Sequence, residues 1–184
     1  MSSSQPLAAA PIAPCTPQRL LREIAALGIA ASTVSHQAVF TVAESKALRG
    51  VIDGGHVKNL FLKDKKGRLF CVTALESAKI DLKRLHEKIG ASGRVSFAGP
   101  EQLLRHWGVT PGSVTPLGAI NDTENAVTVV LDASLLALPR LNVHPLINTM
   151  STGIDTPDLL RLLEAFGHPP LIARISDEPA PDAP

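Results

Sequence analysis

Three short segments of this 184-residue chain collect side chains whose types and spacing could do chemistry. The first is His56-Val57-Lys58-Asn59, at the entry to an apolar run. The second is Thr110-Pro111-Gly112-Ser113-Val114-Thr115-Pro116. The third is Asn142-Val143-His144-Pro145, with Asn148 close behind. Lys58 stands beside residues that should enter a core, so its charge needs a reason. It pairs with a phosphate or a developing oxyanion, or it snorkels from a strand edge. Asn59 can orient a substrate amide or hydroxyl, or it simply opens the strand. Gly112 lets backbone approach a ligand closely and Pro116 fixes the exit of its loop. Amide N–H groups there could face an oxygen that gains charge during acyl transfer, although an ordinary surface loop has the same composition. His144 could hold a water or an amino group, or serve structure alone.

Other chemistries find no footing. His36, His56, His86, His106 and His168 have no partner at metal-binding spacing, and Cys15 and Cys71 make no Cys-x-x-Cys, so neither a metal nor a cofactor is expected. Gly-x-Ser-x-Gly is missing, as are Gly-x-Gly-x-x-Gly and the P-loop pattern, which disfavours a serine nucleophile and the usual nucleotide-phosphate loops. Cys71, inside an apolar run, reads as packing. No apolar run approaches the ~20 residues of a membrane span, and the start of the chain lacks the charge order of a secretory signal. A cytoplasmic protein is expected. Net charge is only +1, but residues 58–94 hold ten lysines and arginines against four acids. That stretch is either a phosphate-attracting patch or a solvated face.

The elements that must position these residues follow from periodicity and punctuation. Residues 1–15 are rich in Ser, Ala and Pro and residues 176–184 are acidic and proline-rich, so both read as disordered tails around a domain over 16–175. Thr16 and Pro17 should open a helix carrying Leu20, Leu21, Ile24 and Leu27, ended by Gly28. Thr33–Val42 is strand-like at its ends, and Thr41-Val42-Ala43-Glu44 has capping-box form, predicting a short helix to Gly50. Leu60–Lys63 and Leu69–Ala74 predict a hairpin turned by Asp64-Lys65-Lys66-Gly67. Further helices are predicted over 81–89, 100–107 and 156–166, the last with Leu159, Leu160 and Leu163 inward, and strands over 94–97, 126–131 and 171–175. Interspersed helices with a tight hairpin point to one α+β domain, a mixed and largely antiparallel sheet flanked by helices.

At the three polar segments the chain resembles the YbaK / prolyl-tRNA synthetase-associated editing-domain superfamily, and within it the free-standing ProX-type deacylases of Ala-tRNA(Pro). The likeness runs over roughly 17–175. It is strongest at Val39–Ser45, Gly55–Leu69, Gly112–Pro116, Asn121-Asp122 and Leu141–Asn148. It implies that Lys58 positions the aminoacyl-tRNA end, that Gly112 belongs to the Gly-x-x-x-Pro loop that stabilises the oxyanion, and that His144 lines the aminoacyl pocket. Thr41, Asn59, Ser113, Val114 and Pro116 would contact substrate, with Lys58 and Asn59 both facing the loop across the ester. The family pattern is broken where no proline follows His36 and where Val57 replaces a small polar residue. The implied reaction is ester hydrolysis without metal or cofactor, helped by a ribose hydroxyl of the substrate. The implied partners are the acceptor end of an aminoacyl-tRNA and, as docking candidates, prolyl-tRNA synthetase or an elongation factor, with neither membrane nor DNA. Two alternatives stay open: a non-catalytic tRNA-binding module of this fold, and a deacylase for Cys-tRNA(Pro) or another misacylated tRNA.

Overall fold

The computed structural model describes residues 13–37 and 53–176. The predicted capping box at Thr41 and the helix after it lie outside these residues. Helix α1 spans Pro17–Ala26; Thr16 Oγ1 accepts the Arg19 amide at 3.2 Å and Gly28 turns the chain away at φ +68°. The strands are β1 (Ala31–Ser35), β2 (Gly55–Lys63), β3 (Leu69–Leu75), β4 (Ser96–Phe97), β5 (Val127–Asp132), β6 (Arg140–Val143), β7 (Met150–Asp155) and β8 (Leu171–Ala173). The remaining helices are α2 (Leu85–Ile89), α3 (Pro100–Trp107) and α4 (Thr156–Ala165), with 3-10 turns at Pro116–Asn121 and Ala133–Ala137.

The strands make one mixed sheet in the order β1-β7-β6-β2-β3-β5-β8, with β4 added to β2. The pairs β1–β7, β6–β7, β2–β3 and β2–β4 are antiparallel; β2–β6, β3–β5 and β5–β8 are parallel. β3 reads as a continuous apolar run because it is covered on both sides. Cys71 joins Val129, Leu131 and Phe61 in a core closed by Leu20 and Ile24 of α1, Leu103 and Trp107 of α3, and Leu159, Leu162 and Leu163 of α4. Phe70, Val72 and Ala74 leave by the other face, against Leu85 and Ile89 of α2.

Several expectations change in detail. The helix predicted from residue 81 starts at Leu85, because Asp81 closes a turn instead: its Oδ1 accepts Lys83 N at 2.9 Å and its carbonyl accepts Arg84 N at 3.1 Å. On α4, Leu162 is buried and Leu160 only half so. Cys15 and Ser176, assigned by sequence to the tails, are both buried. Strands β6 and β7 stand where the sequence suggests loops. β7 carries Ser151, Thr152 and Gly153 rather than an apolar alternation, and is held between β1 and β6 by its neighbours. Gly153 leaves room for Arg140: a Cβ there would lie 2.7 Å from Arg140 Nε and would make that side chain shift.

Candidate functional site

β2 is shared between two groups of strands, and the polar residues gather where it passes from one to the other. Its start pairs with β6 through Gly55↔Leu141 and His56↔Asn142, and its end pairs with β4 through Leu62↔Phe97 and Lys63↔Ser96. Between these contacts lie Val57–Phe61. Along this edge, among the described residues, the sheet partner is a single bond from Ala98 N to Phe61 O at 3.0 Å. Side chains alternate along a strand, so Lys58 and Asn59 leave β2 by opposite faces. Lys58 shares its face with Leu60 and Leu62, and its ammonium donates to the Ala78 carbonyl. Asn59 points to the other face, where its Nδ2 donates to Val114 O at 2.9 Å and its Oδ1 accepts from Thr73 Oγ1 at 2.8 Å. The expectation that both residues face the Gly112–Pro116 loop is therefore corrected. Only Asn59 does, and both ends of its carboxamide are engaged in holding that loop to the sheet.

The loop is pulled inward at consecutive carbonyls. Val114 O is held by Asn59, and Thr115 O accepts Trp107 Nε1 at 2.6 Å. Trp107 is itself fully buried, 6.0 Å from the Phe61 ring centre and against Gly118. Pro116 occupies the first position of the 3-10 turn and is buried under Thr115, whose Oγ1 accepts Leu117 N at 3.3 Å. Ser113 is buried and its amide is taken by Thr110 O at 3.0 Å. Gly112 is exposed at φ +88°, a conformation that favours glycine.

A histidine cluster that spacing did not reveal forms the other part of the site. His144 follows β6, and its Nδ1 lies 3.1 Å from Met150 O. A carbonyl only accepts, so Nδ1 carries the proton and Nε2 is left as an acceptor. Burial pushes the His144 pKa down, the Met150 carbonyl pushes it up, and the nearby His36 and His56 push it down again. His36 lies at the end of β1, with Nε2 2.9 Å from Ser151 Oγ and its amide on Thr149 O at 2.9 Å. The pairs Val34↔Ser151, Asn142↔Gly153 and His56↔Asn142 carry this polar face across β1, β7, β6 and β2. Lys58 follows His56 on the same face by alternation. Asn142 Nδ2 donates to Asp53 O at 3.0 Å, while its buried Oδ1 has no partner among the described residues. Among the described residues no group of three His, Cys, Asp or Glu is placed to hold a metal ion. No described helix is long and apolar enough to cross a membrane. Thr41 lies outside the described residues.

A family model described as "Aminoacyl-tRNA editing domain" matches residues 36–162. A zebrafish (Danio rerio) protein, "Prolyl-tRNA synthetase associated domain-containing protein 1", is 37% identical over 166 residues, covering 89% of this chain and 90% of its own length. "Prolyl-tRNA editing protein ProX" of Acetoanaerobium sticklandii is 34% identical over 152 residues, covering 82% and 92%. The fold is similar to the crystal structure of a candidate trans-editing enzyme for prolyl tRNA synthetase, with a TM-score of 0.66 at 20% identity over 89% of this chain and 99% of that one. The chain belongs to the aminoacyl-tRNA editing domain family and is an aminoacyl-tRNA deacylase, a hydrolase of carboxylic esters.

Proposed function

We propose that the protein is a free-standing editing enzyme that hydrolyses Ala-tRNA(Pro) in the cytoplasm. The observation that carries this reading is the pairing of a neutral histidine acceptor, His144 Nε2, with a lysine on the same polar face, Lys58. An aminoacyl ester on a tRNA end offers a cationic α-ammonium on one side of the scissile bond and anionic phosphate on the other. His144 accepts from the ammonium. Lys58 leaves the Ala78 carbonyl to meet the terminal phosphate or ribose. Water attacks the ester carbonyl, helped by the neighbouring ribose hydroxyl; the Gly112 loop, which Asn59 holds to the opposite face of β2 from Lys58 and His144, reaches the oxyanion only past the edge of that strand. The C–O bond then breaks to release the amino acid and the tRNA 3′ end. Asn59, Val114 and Pro116 act in this reading by fixing the loop rather than by touching substrate. The names of the zebrafish and Acetoanaerobium sticklandii relatives support tRNA(Pro) as the nucleic acid and prolyl-tRNA synthetase as a docking partner.

Selection for alanine over proline would come from pocket size. One methylene is worth only about 1–3 kcal/mol, so glycine and serine esters should leak through while proline is excluded by its bulk. The test is a deacylation panel over Ala-, Gly-, Ser-, Cys- and Pro-tRNA(Pro), with Lys58→Ala as the control. Ala-tRNA(Pro) should turn over fastest and Lys58→Ala should lose at least about 100-fold in rate, a loss on the scale of one charge-stabilising contact. Fast hydrolysis of Pro-tRNA(Pro), or full activity in Lys58→Ala, rejects the reading. Preference for the Cys ester reassigns the substrate. Salt-dependent tRNA binding without hydrolysis marks a binding module.

A further inference from the structure

Phe97 is 61% exposed, the highest value for a large apolar side chain among the described residues. Val95, two residues earlier and on the same side, packs on the core beside α2, whereas Phe97 at the strand end stays exposed. Cations surround this strand end. Arg94 is exposed, Lys65 lies across Gly93, where a Cβ would meet its Cδ at 3.1 Å, and Lys66 projects from the hairpin turn. The one acid of that turn, Asp64, is buried and already taken by the Arg68 guanidinium and by the amides of Lys66, Arg68 and Ser92. An exposed ring beside exposed cations matches a platform for single-stranded nucleic acid, where the ring stacks a base and the cations take phosphates.

Its position on the fold agrees. Phe97 is the register partner of Leu62, which lies four residues along β2 from Lys58 on the same face, ~13 Å away. Among the described residues, the stretch of β2 between them is the edge that neither β6 nor β4 pairs. An RNA strand with its last nucleotide at Lys58 can run along this edge and bring an upstream base to Phe97. We propose that Phe97 is a stacking platform for an unpaired base of the single-stranded 3′ end of tRNA, with Arg94 and Lys65 on the adjoining phosphates. Naming the strand as a tRNA end rests on the deacylase reading above; the platform itself does not.

The experiment measures binding of the full chain to a labelled RNA hairpin that copies an acceptor stem with its unpaired 3′ tail, by fluorescence anisotropy. A blunt version of the hairpin serves as comparison. Loss of one base stack should weaken Phe97→Ala binding to the tailed hairpin by about 5- to 150-fold. Phe97→Trp should bind as the parent does, and the parent and Phe97→Ala should bind the blunt hairpin equally. Thermal melts of both variants check the fold. Equal binding of parent and Phe97→Ala to the tailed hairpin overturns the proposal, as does an equal loss on the blunt hairpin. So does a change in sedimentation of Phe97→Ala with RNA binding intact, which would mark a protein interface. If the parent hydrolyses no aminoacyl ester and Phe97→Ala still loses affinity for the tail, the deacylase reading fails and the platform stands.

Discussion

His144 is held as a neutral imidazole by burial, with His36 and His56 adding to the effect and the Met150 carbonyl opposing it. Protonation is therefore harder in the folded protein than in the unfolded chain. The unfolded state binds more protons as pH falls through the ordinary value of 6.5, so this group withdraws stability on the acid side and contributes nothing above it. Catalysis that needs Nε2 as an acceptor should accordingly rise with pH and level off early. The pH profile of kcat/KM for Ala-tRNA(Pro) should show an inflection below 6.5, and His144→Gln should abolish that inflection. A profile unchanged in His144→Gln would assign the proton elsewhere. Lys58 and His144 were legible as residues, one by its charge beside an apolar run and the other by its polar segment. His36 and His56 were not, because nothing in their spacing shows that they meet. His36 reaches Ser151 across 115 residues of chain, through the β1–β7 pairing.

The hairpin of β2 and β3 was the most legible element. Its alternation, its turn residues and Gly67 at φ +81° all agree with the observed structure. The turn is more than a connection, because Asp64 ties it to the segment after α2. Burial alone would raise the Asp64 pKa, but the amides of Ser92, Arg68 and Lys66 and the Arg68 guanidinium bring it down to about 2. Stability from this carboxylate is present above its ordinary value of 3.8 and is lost as pH falls from there toward about 2. Asp64→Ala should cost about 2–3 kcal/mol at neutral pH, the scale of charge-assisted hydrogen bonds left unmade. Its difference from the parent should shrink on acidification, read by urea melts at pH 7 and pH 3; a constant difference would refute the assignment. β6 and β7 were illegible for the opposite reason. Their polar and glycine residues suit a sheet only where a neighbouring side chain, Arg140, lies over the strand and bonds Gly153 O at 2.8 Å, Asp155 at 2.7 Å and Ser32 at 2.7 Å.

At the scale of the molecule, the loop that carries Gly112 depends on the main core beneath it. Asn121 ties the start of α1 to the end of α3, accepting Cys15 N at 2.7 Å and donating to Trp107 O at 3.0 Å. Asp122 accepts the amides that open β5, Ala126 N at 3.1 Å and Val127 N at 2.8 Å. Trp107 then reaches from α3 to Thr115 O, with Gly118 leaving room for its ring. A Cβ at Gly118 would sit 2.2 Å from Trp107 Cδ1. Gly118→Ala should therefore push the ring off Thr115. The overpacking should cost about 1–3 kcal/mol and lower deacylation more than the loss of folded protein explains. Thermal melts and active-fraction-corrected rates check this, and an unchanged rate would separate the core from the loop.

Caps, turns, the hairpin and most of the helices were set by local sequence, because capping side chains, glycine conformations and apolar periodicity act within a few residues. Period two even requires Lys58 and Asn59 to leave β2 by opposite faces. Which face meets the Gly112 loop, and which gathers His36, His56 and His144, was decided by tertiary structure alone. That choice depends on β2 pairing with β6 at one end and β4 at the other, and on Trp107 and Asn59 drawing two carbonyls of a distant loop inward. Both are long-range contacts, set by packing over the whole core and carried by no local pattern of residues.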